Sequence, residues 1–472
     1  MSGKRINHQS AGLFLLAAVA MLIHPSLAAA QWLVPLYTFD GVALADRFGS
    51  AVAGAGDVND DGLADLIVGA READPNGEKN GGTATVFSGA DGSVLYVIEG
   101  DEDDDGKFST SDGDLLGYSV GSAGDIDGDG YDDFLVGSFL NGVNDHGSIL
   151  GYSGVDGSLL FQIDGNANEA QFGEAVAGVG DIDGDNVPDI MFGATEEASS
   201  PVSFPGSVRV VSGANPNGPA LVTLHGGATG DAFGDAVANA GDVDKDGVND
   251  LLIGARLTDP VAGQNTNGTA FVYSGDNTYL LFSESGGNGE KLGASVDSVG
   301  DLDGDGHADF IVGLPGSDIV ASNAGRAIVY SGKTGNVLWD LVGDGSTDAF
   351  GSSVAGLGDV TGDGIGDFAI GAPFEDTNGN NSGAVYLYSG ADGGLLETYF
   401  GDGVGDTFGR HLAAAGDVNG DGFGDLIVGA EEFQFNSFGN GYARVYVTTI
   451  PEPTTLGLFG VATIALLRRR QV

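Results

Sequence analysis

The residues best suited to chemistry in this 472-residue chain are aspartates, and they recur seven times at one spacing. The oxygen-bearing positions are Asp57, Asn59, Asp61, Leu63 and Asp65 in the first copy, and Asp125, Asp127, Asp129, Tyr131 and Asp133 in the second. They are Asp181, Asp183, Asp185, Val187 and Asp189 in the third, and Asp242, Asp244, Asp246, Val248 and Asp250 in the fourth. The fifth has Asp301, Asp303, Asp305, His307 and Asp309, the sixth Asp359, Thr361, Asp363, Ile365 and Asp367, and the seventh Asp417, Asn419, Asp421, Phe423 and Asp425. Side-chain oxygens at positions one, three, five and nine, with the main-chain carbonyl of position seven, wrap a hard cation. Ca2+ takes about six to eight oxygens near ~2.4 Å, whereas Mg2+ prefers a tight octahedron that keeps several waters. Position six must turn with φ > 0; it is Gly in six copies and Asn186 in the third, Asn being the non-Gly residue that best accepts this conformation. An acidic hairpin turn needs one Asp or Asn, not four oxygens at fixed intervals. Up to seven structural Ca2+ sites are therefore expected, the weaker ones being loops one, six and seven, where Asn59, Thr361 and Asn419 replace a carboxylate.

Other chemistries find little support. Away from the N-terminus the histidines are His146, His225, His307 and His411, one each in separate repeats, and the chain has no Cys. No Ser/His/Asp, Cys/His or zinc-spaced constellation appears, and the carboxylates are spoken for, so the expectation is a non-catalytic protein. With 17 Lys+Arg against 68 Asp+Glu and a formal net charge of -51, nucleic acid is excluded as a partner. A hydrophobic content of 42% is enough to fill a core.

The elements that must hold these loops follow from the repeat itself. Each copy opens with Phe48-Gly49, Leu116-Gly117, Phe172-Gly173, Phe233-Gly234, Leu292-Gly293, Phe350-Gly351 or Phe408-Gly409. The first Asp comes nine residues after each Phe or Leu and the last Asp eight residues later, in every copy. Rigid geometry lies inside this block and variable loops outside it. Short apolar runs such as Leu66-Ile67-Val68 follow the last Asp and read as strands. A further strand (Ala84 to Ser88) and another after a Gly turn (Val94 to Ile98) bring the unit to four. Seven four-stranded sheets arranged radially make an all-β, seven-bladed β-propeller. The last copy ends at its third strand near Thr448, and the orphan segment Trp32 to Gly41 looks like its missing fourth, so the N-terminal strand should close the ring.

The whole block resembles the FG-GAP repeat family, the seven-bladed propeller of integrin alpha subunits and of many exported bacterial proteins. Phe350-Gly351 with Gly371-Ala372-Pro373 carries both halves of that name, while the other copies depart from the second half. The resemblance implies calcium loops, which integrin alpha subunits carry in only some blades. No other integrin domain accompanies the repeats, so no integrin-type partner subunit or signalling follows.

The two ends read as addresses. Residues 1–30 have Lys4 and Arg5 before an apolar run and a small-residue cleavage site at Ala28-Ala29-Ala30, the pattern of a signal peptide for signal peptidase. Residues 451–472 begin with Pro451-Glu452-Pro453, continue through a short apolar stretch and end on Arg468-Arg469-Arg470. This order resembles the PEP-CTERM sorting signal of Gram-negative bacteria, which implies an exosortase-type enzyme as processing partner and a membrane contact limited to this transient segment. Residues 31–450 are then the propeller, exported to the cell surface or extracellular matrix as a monomer. The function expected is an adhesion or binding module for an extracellular polysaccharide or surface protein; the alternatives are a structural matrix component without a specific ligand and a polysaccharide-acting hydrolase or lyase. Binding is expected on the loops 71–81, 195–205, 256–267, 374–382 and 431–441, opposite the aspartate loops, the last with Phe433, Phe435 and Phe438 as an aromatic platform. Asn267-Gly268-Thr269 and Asn380-Asn381-Ser382 match glycan-acceptor patterns.

Overall fold

A computed structural model describes residues 32–75, 79–100, 113–140, 146–165, 171–195, 205–259, 266–434 and 437–448. Both address segments, 1–30 and 451–472, lie outside these residues, as does most of the 195–205 loop.

The apolar runs after each last Asp form the second strand of a blade, and all six of its residues are buried in every copy, from Asp65–Ala70 to Asp425–Ala430. Continuous burial follows from sheets packed on both faces by neighbouring sheets. The first blade orders Phe48–Gly56, Asp65–Ala70, Thr83–Phe87 and Val94–Glu99 from the axis outward, all antiparallel, and the next five repeat that order. In the seventh blade His411–Gly416, Asp425–Ala430 and Tyr442–Thr448 are followed at the outer edge by Leu33–Asp40. This N-terminal strand pairs antiparallel with Tyr442–Thr448 from Leu33 opposite Thr448 to Asp40 opposite Tyr442. The expected all-β seven-bladed propeller is present, and its closure runs through the expected strand.

The Phe-Gly pair turns out to be the seam between blades. Each Phe or Leu makes an isolated parallel bridge to the Gly before the third strand of the preceding blade: Gly82 with Leu116, Gly147 with Phe172, and so on to Gly383 with Phe408, with Phe48 and Gly441 completing the circle. The side chain sits in the core between two sheets; Phe172, for example, packs with Ile149 of one blade and Phe192 of the next. Gly49 has φ +84° and a Cβ there would stand 2.4 Å from the Tyr442 carbonyl oxygen, so no other residue fits this seam without moving the backbone. Outer strands add aromatic latches, with Tyr96 Oη donating to the Gly154 carbonyl at 2.7 Å and Trp339 Nε1 to that of Gly390 at 3.2 Å. The closing strand contributes the equivalent latch, Tyr37 Oη to the Gly89 carbonyl at 3.1 Å, and stacks Phe39 on Phe87 at 3.9 Å between ring centroids.

Candidate functional site

The first and second strands of every blade are joined by the aspartate loop, so all seven loops stand on one face of the ring. Their local fold is written in short-range hydrogen bonds. Asp57 at position one accepts from the main-chain N–H of Asp61 at 3.0 Å and of Gly62 at 2.8 Å, and the other loops repeat this winding, as in Asp125 with Asp129 and Gly130. Position six has φ between +69° at Asn186 and +97° at Gly130, as the sequence requires. Position four is left-handed as well, with φ +54° at Asp60, +66° at Lys245 and Gly in the other five copies. That second turn was missed from the sequence, although five glycines at one repeat position were its signal.

Position nine anchors the loop to the sheet. Asp65, Asp133, Asp189, Asp250, Asp309, Asp367 and Asp425 are each fully buried. One oxygen of Asp65 accepts from Val58 N–H at 3.0 Å and the other from Gly89 N–H at 2.8 Å, and the same two bonds recur in all seven loops. In loops three, four and six the oxygen facing the loop also accepts from the next main-chain N–H, as Asp189 does from Asp183 at 3.3 Å and Asp250 from Asp244 at 3.1 Å. Burial pushes Asp65, Asp133, Asp250, Asp309 and Asp425 up to about 6, because the loss of water outweighs the two main-chain N–H bonds and neighbouring loop aspartates add to it. Ligand oxygens of Asp125, Asp127 and Asp133 gather within 4.8 Å of one another, as do those of Asp181, Asp183 and Asp189, of Asp242, Asp244 and Asp246, and of Asp301, Asp303 and Asp309. These are the four loops with four Asp each. An all-oxygen donor set carried on a loop of this winding fits a hard divalent cation.

The loops also touch around the ring. Asp132 N–H donates to the Asp57 carbonyl at 3.1 Å while its carboxylate accepts from Asp57 N–H at 2.9 Å, and Ala64 N–H reaches the Asp417 carbonyl across the closing seam at 3.1 Å. His307 Nδ1 lies 2.7 Å from the Val243 carbonyl of the preceding blade, which can only accept, so that nitrogen carries the proton. Whatever organises one loop therefore stiffens its neighbour.

On the opposite face the inner strands begin, and there the structure assembles a group that sequence reasoning did not bring together. The residue after each Phe-Gly pair and the residue after each second strand meet at the mouth of the central channel. Blade by blade these pairs include Tyr118 stacked on Phe139 at 4.6 Å, Glu174 hydrogen-bonded to Thr195, Asp235 with Arg256 Nη1 at 2.6 Å, and Arg410 Nε with Glu431 at 2.7 Å. Glu431 also receives Arg71 Nη2 at 2.8 Å, Arg47 Nη1 at 3.1 Å and His411 Nε2 at 3.2 Å. Burial alone would raise Glu431, but His411 and the arginines outweigh it and hold the carboxyl well below its usual range. Burial lowers His411, with its contact to Glu431 pulling the other way. Asp235 is raised by burial, with Arg256 pulling the other way. His411 thus belongs to the cluster around Glu431.

Of the predicted binding loops, 374–382 is wholly described and 71–81, 256–267 and 431–441 partly so, all on the channel-mouth side. Phe433 and Phe438 fall in a small hairpin, Phe433–Gln434 with Ser437–Phe438, whose side chains, like Phe435, lie outside the described set. The glycan-acceptor pattern at Asn267 is corrected: the residue is only 3% exposed, because it sits where the seam to the next blade forms, whereas Asn380 is exposed.

Comparison with known proteins agrees with this architecture. The FG-GAP repeat model matches residues 48–87, 292–330, 350–388 and 408–447, and the PEP-CTERM protein-sorting motif matches 449–471. Integrin alpha-4 of Xenopus laevis is 36% identical over 175 residues, 34% of this chain and 16% of that protein. Integrin alpha-V of Gallus gallus is 30% identical over 231 residues, 46% of this chain and 22% of that protein. The matches thus span about a fifth or less of these relatives. A chain in the crystal structure of BBS1N in complex with ARL6DN, soaked with lead, superposes with a TM-score of 0.54 at 10% identity, covering 89% of this chain and 98% of that one, a likeness of fold alone. The chain is a seven-bladed propeller that carries FG-GAP repeats in four of its blades, is similar to integrin alpha subunits over part of its length, and has a PEP-CTERM sorting motif at 449–471.

Proposed function

We propose that this protein is an exported, Ca2+-stabilised, non-catalytic propeller that serves as an adhesion or binding module at the cell surface or in the extracellular matrix. The observation that carries the reading is the division of labour between faces: the aspartates wind seven near-uniform loops on one face, while varied side chains and loops occupy the other. The ions would be held by positions one, three, five and nine and the position-seven carbonyl of each loop, and they would neutralise the buried position-nine carboxylates. Likeness to the integrin alpha propeller supports a binding role. A glycan and protein array probed with calcium-loaded protein tests it. Saturable binding that disappears when 374–382 is replaced by a short Gly-Ser turn is expected, and absence of any saturable ligand would favour a structural matrix component.

Calcium and protons should compete at position nine. Without calcium, carboxyls raised to about 6 in the fold but near ~3.8 when unfolded contribute stability below pH ~4 that is lost as pH rises through about 6. With calcium bound the dependence reverses, because the ion binds only the ionised form. Melting temperature in chelator should fall from pH 4 to pH 7, and in millimolar calcium it should rise over the same interval. Parallel pH profiles in the two buffers would contradict the assignment of these carboxyls.

Export would use residues 1–30 as signal peptide and 451–472 as a segment removed by an exosortase-type enzyme, leaving 31–450 as the mature protein. Intact mass of protein from the native host should lack Arg468 to Arg470. Their retention would overturn the processing step.

A further inference from the structure

The channel mouth is a built site in its own right. The cavity on the face opposite the aspartate loops has a volume of about 930 Å³, and its charged lining is Arg71, Arg256, Lys291 and Arg410 against Glu174 and Asp235. The chain as a whole has 68 acids for 17 cations, and the balance shifts locally to four cations against two lining acids and the Glu431 behind them. Long-range repulsion from the rest of the protein is screened beyond ~8–10 Å at ordinary ionic strength, so the local sign decides what enters.

The arginines are held in place and not merely nearby. Arg71 is fixed by Glu431 at 2.8 Å and lies over the Tyr118 ring at 5.5 Å, while Arg410 is fixed by Glu431 at 2.7 Å and lies over Phe374 at 5.9 Å. One buried carboxylate thus orients guanidiniums from the first and seventh blades, and each guanidinium has five N–H donors, more than that carboxylate can use. Arg410 and Arg256 keep 41% and 43% of their side chains exposed. Pre-set guanidiniums are matched to a carboxylate by their planar fork.

The rest of the lining suits hydroxyls. Ser119, Ser295 and Ser353 each donate to the carbonyl of the Phe-Gly glycine of the next blade, Gly173 at 2.8 Å, Gly351 at 3.0 Å and Gly409 at 2.7 Å. With their protons committed, these oxygens offer lone pairs only, which a donor such as a sugar hydroxyl satisfies. The variation among repeats points the same way. The two mouth positions run through Tyr, Glu, Asp, Ala, Ser and Arg, and through Arg, Phe, Thr, Pro and Glu, while the seam and loop positions beside them barely change. A ring that needed those positions only for packing would repeat them too.

We infer that the central channel mouth binds the carboxylate-bearing unit of an acidic saccharide, a uronate, with Arg71, Arg410 and Arg256 facing the carboxylate and the inner-strand serines accepting from ring hydroxyls. The inference deepens the binding-module reading and rests on it. The test is calorimetric titration of calcium-saturated protein with trigalacturonate and with its methyl-esterified, uncharged form. Trigalacturonate should bind at least tenfold more tightly than the ester. Arg410→Gln and Arg256→Gln should each weaken it at least tenfold without losing the wild-type melting transition, and Arg326→Gln, whose partner Asp340 lies on an outer strand, should bind as wild type. Equal affinity for the ester, or wild-type affinity in both channel variants, would overturn the site; the latter is also the result if the saccharide bridges to calcium on the opposite face. Displacement by inorganic sulfate at equal concentration would overturn the saccharide assignment. If ligand binding depends on 374–382 and not on the arginines, the binding module stands and the channel site falls.

Discussion

Stripping calcium from this protein should lower its melting temperature by about 10 °C or more, or unfold the ring outright. Loops of this kind outside cells bind with dissociation constants of roughly 0.1 to 1 mM. A tenfold excess of free ion then stabilises the fold by about 1.4 kcal/mol per site, or ~10 kcal/mol across seven independent sites. That rivals the ~5–15 kcal/mol by which folded proteins usually exceed their unfolded state. At ~2.1 cal/mol/K per residue the unfolding entropy of a chain this long is near ~1 kcal/mol/K, which sets the expected shift. Two features push it higher. Seven divalent ions add fourteen positive charges against a formal -51, and the loops bond across the seams, so losing one ion loosens two blades. Differential scanning calorimetry with and without chelator reads the result; superimposable melts would mean that something other than calcium holds the loops.

Deleting Leu33 to Phe39 should be the most damaging change of comparable size. It removes the outer strand of the seventh blade, strips Phe39 from Phe87 and Tyr37 from the Gly89 carbonyl, and exposes the edge of Tyr442–Thr448. Leu33 is fully buried and Phe39 is nearly so, and at ~1.5–3 kcal/mol for each such side chain the loss is about 3–6 kcal/mol before the strand pairing is counted. The bared edge invites pairing with a second copy. Light scattering should show concentration-dependent oligomers together with a lower melting temperature. A monomer that melts as the intact protein does would refute closure through this strand.

Much of this architecture could be read without coordinates, and the reason is physical. The spacing from Phe or Leu to the last Asp never varies, because it spans an inner strand, an aspartate loop and the start of the second strand, a unit that cannot lengthen without breaking the seam or the loop winding. The missing strand of the last copy was legible because Leu36 to Gly41 repeats the pattern of Leu95 to Gly100. What stayed hidden depends on the circle. Phe-Gly reads as a strand opening, and only ring geometry makes Phe48 and Gly441 partners across 393 residues of sequence. Arg71 and Arg410 lie far apart along the chain yet converge on the Glu431 carboxylate, since repeat positions that vary from blade to blade become neighbours once seven blades share an axis. Lining up those two positions by repeat number would have placed them on one ring.

The claim on which the rest depends is that the aspartate loops are calcium sites. Native mass spectrometry of the purified protein across a calcium titration counts the ions directly. Seven bound ions at millimolar calcium are expected, with loops two to five, which have four Asp each and gather the oxygens of three of them, retaining theirs as calcium is lowered and loops one, six and seven emptying first. Asp303→Ala should remove one ion from the retained set. A protein that carries no calcium at saturation, or that loses ions without regard to which loops keep four carboxylates, would contradict the account.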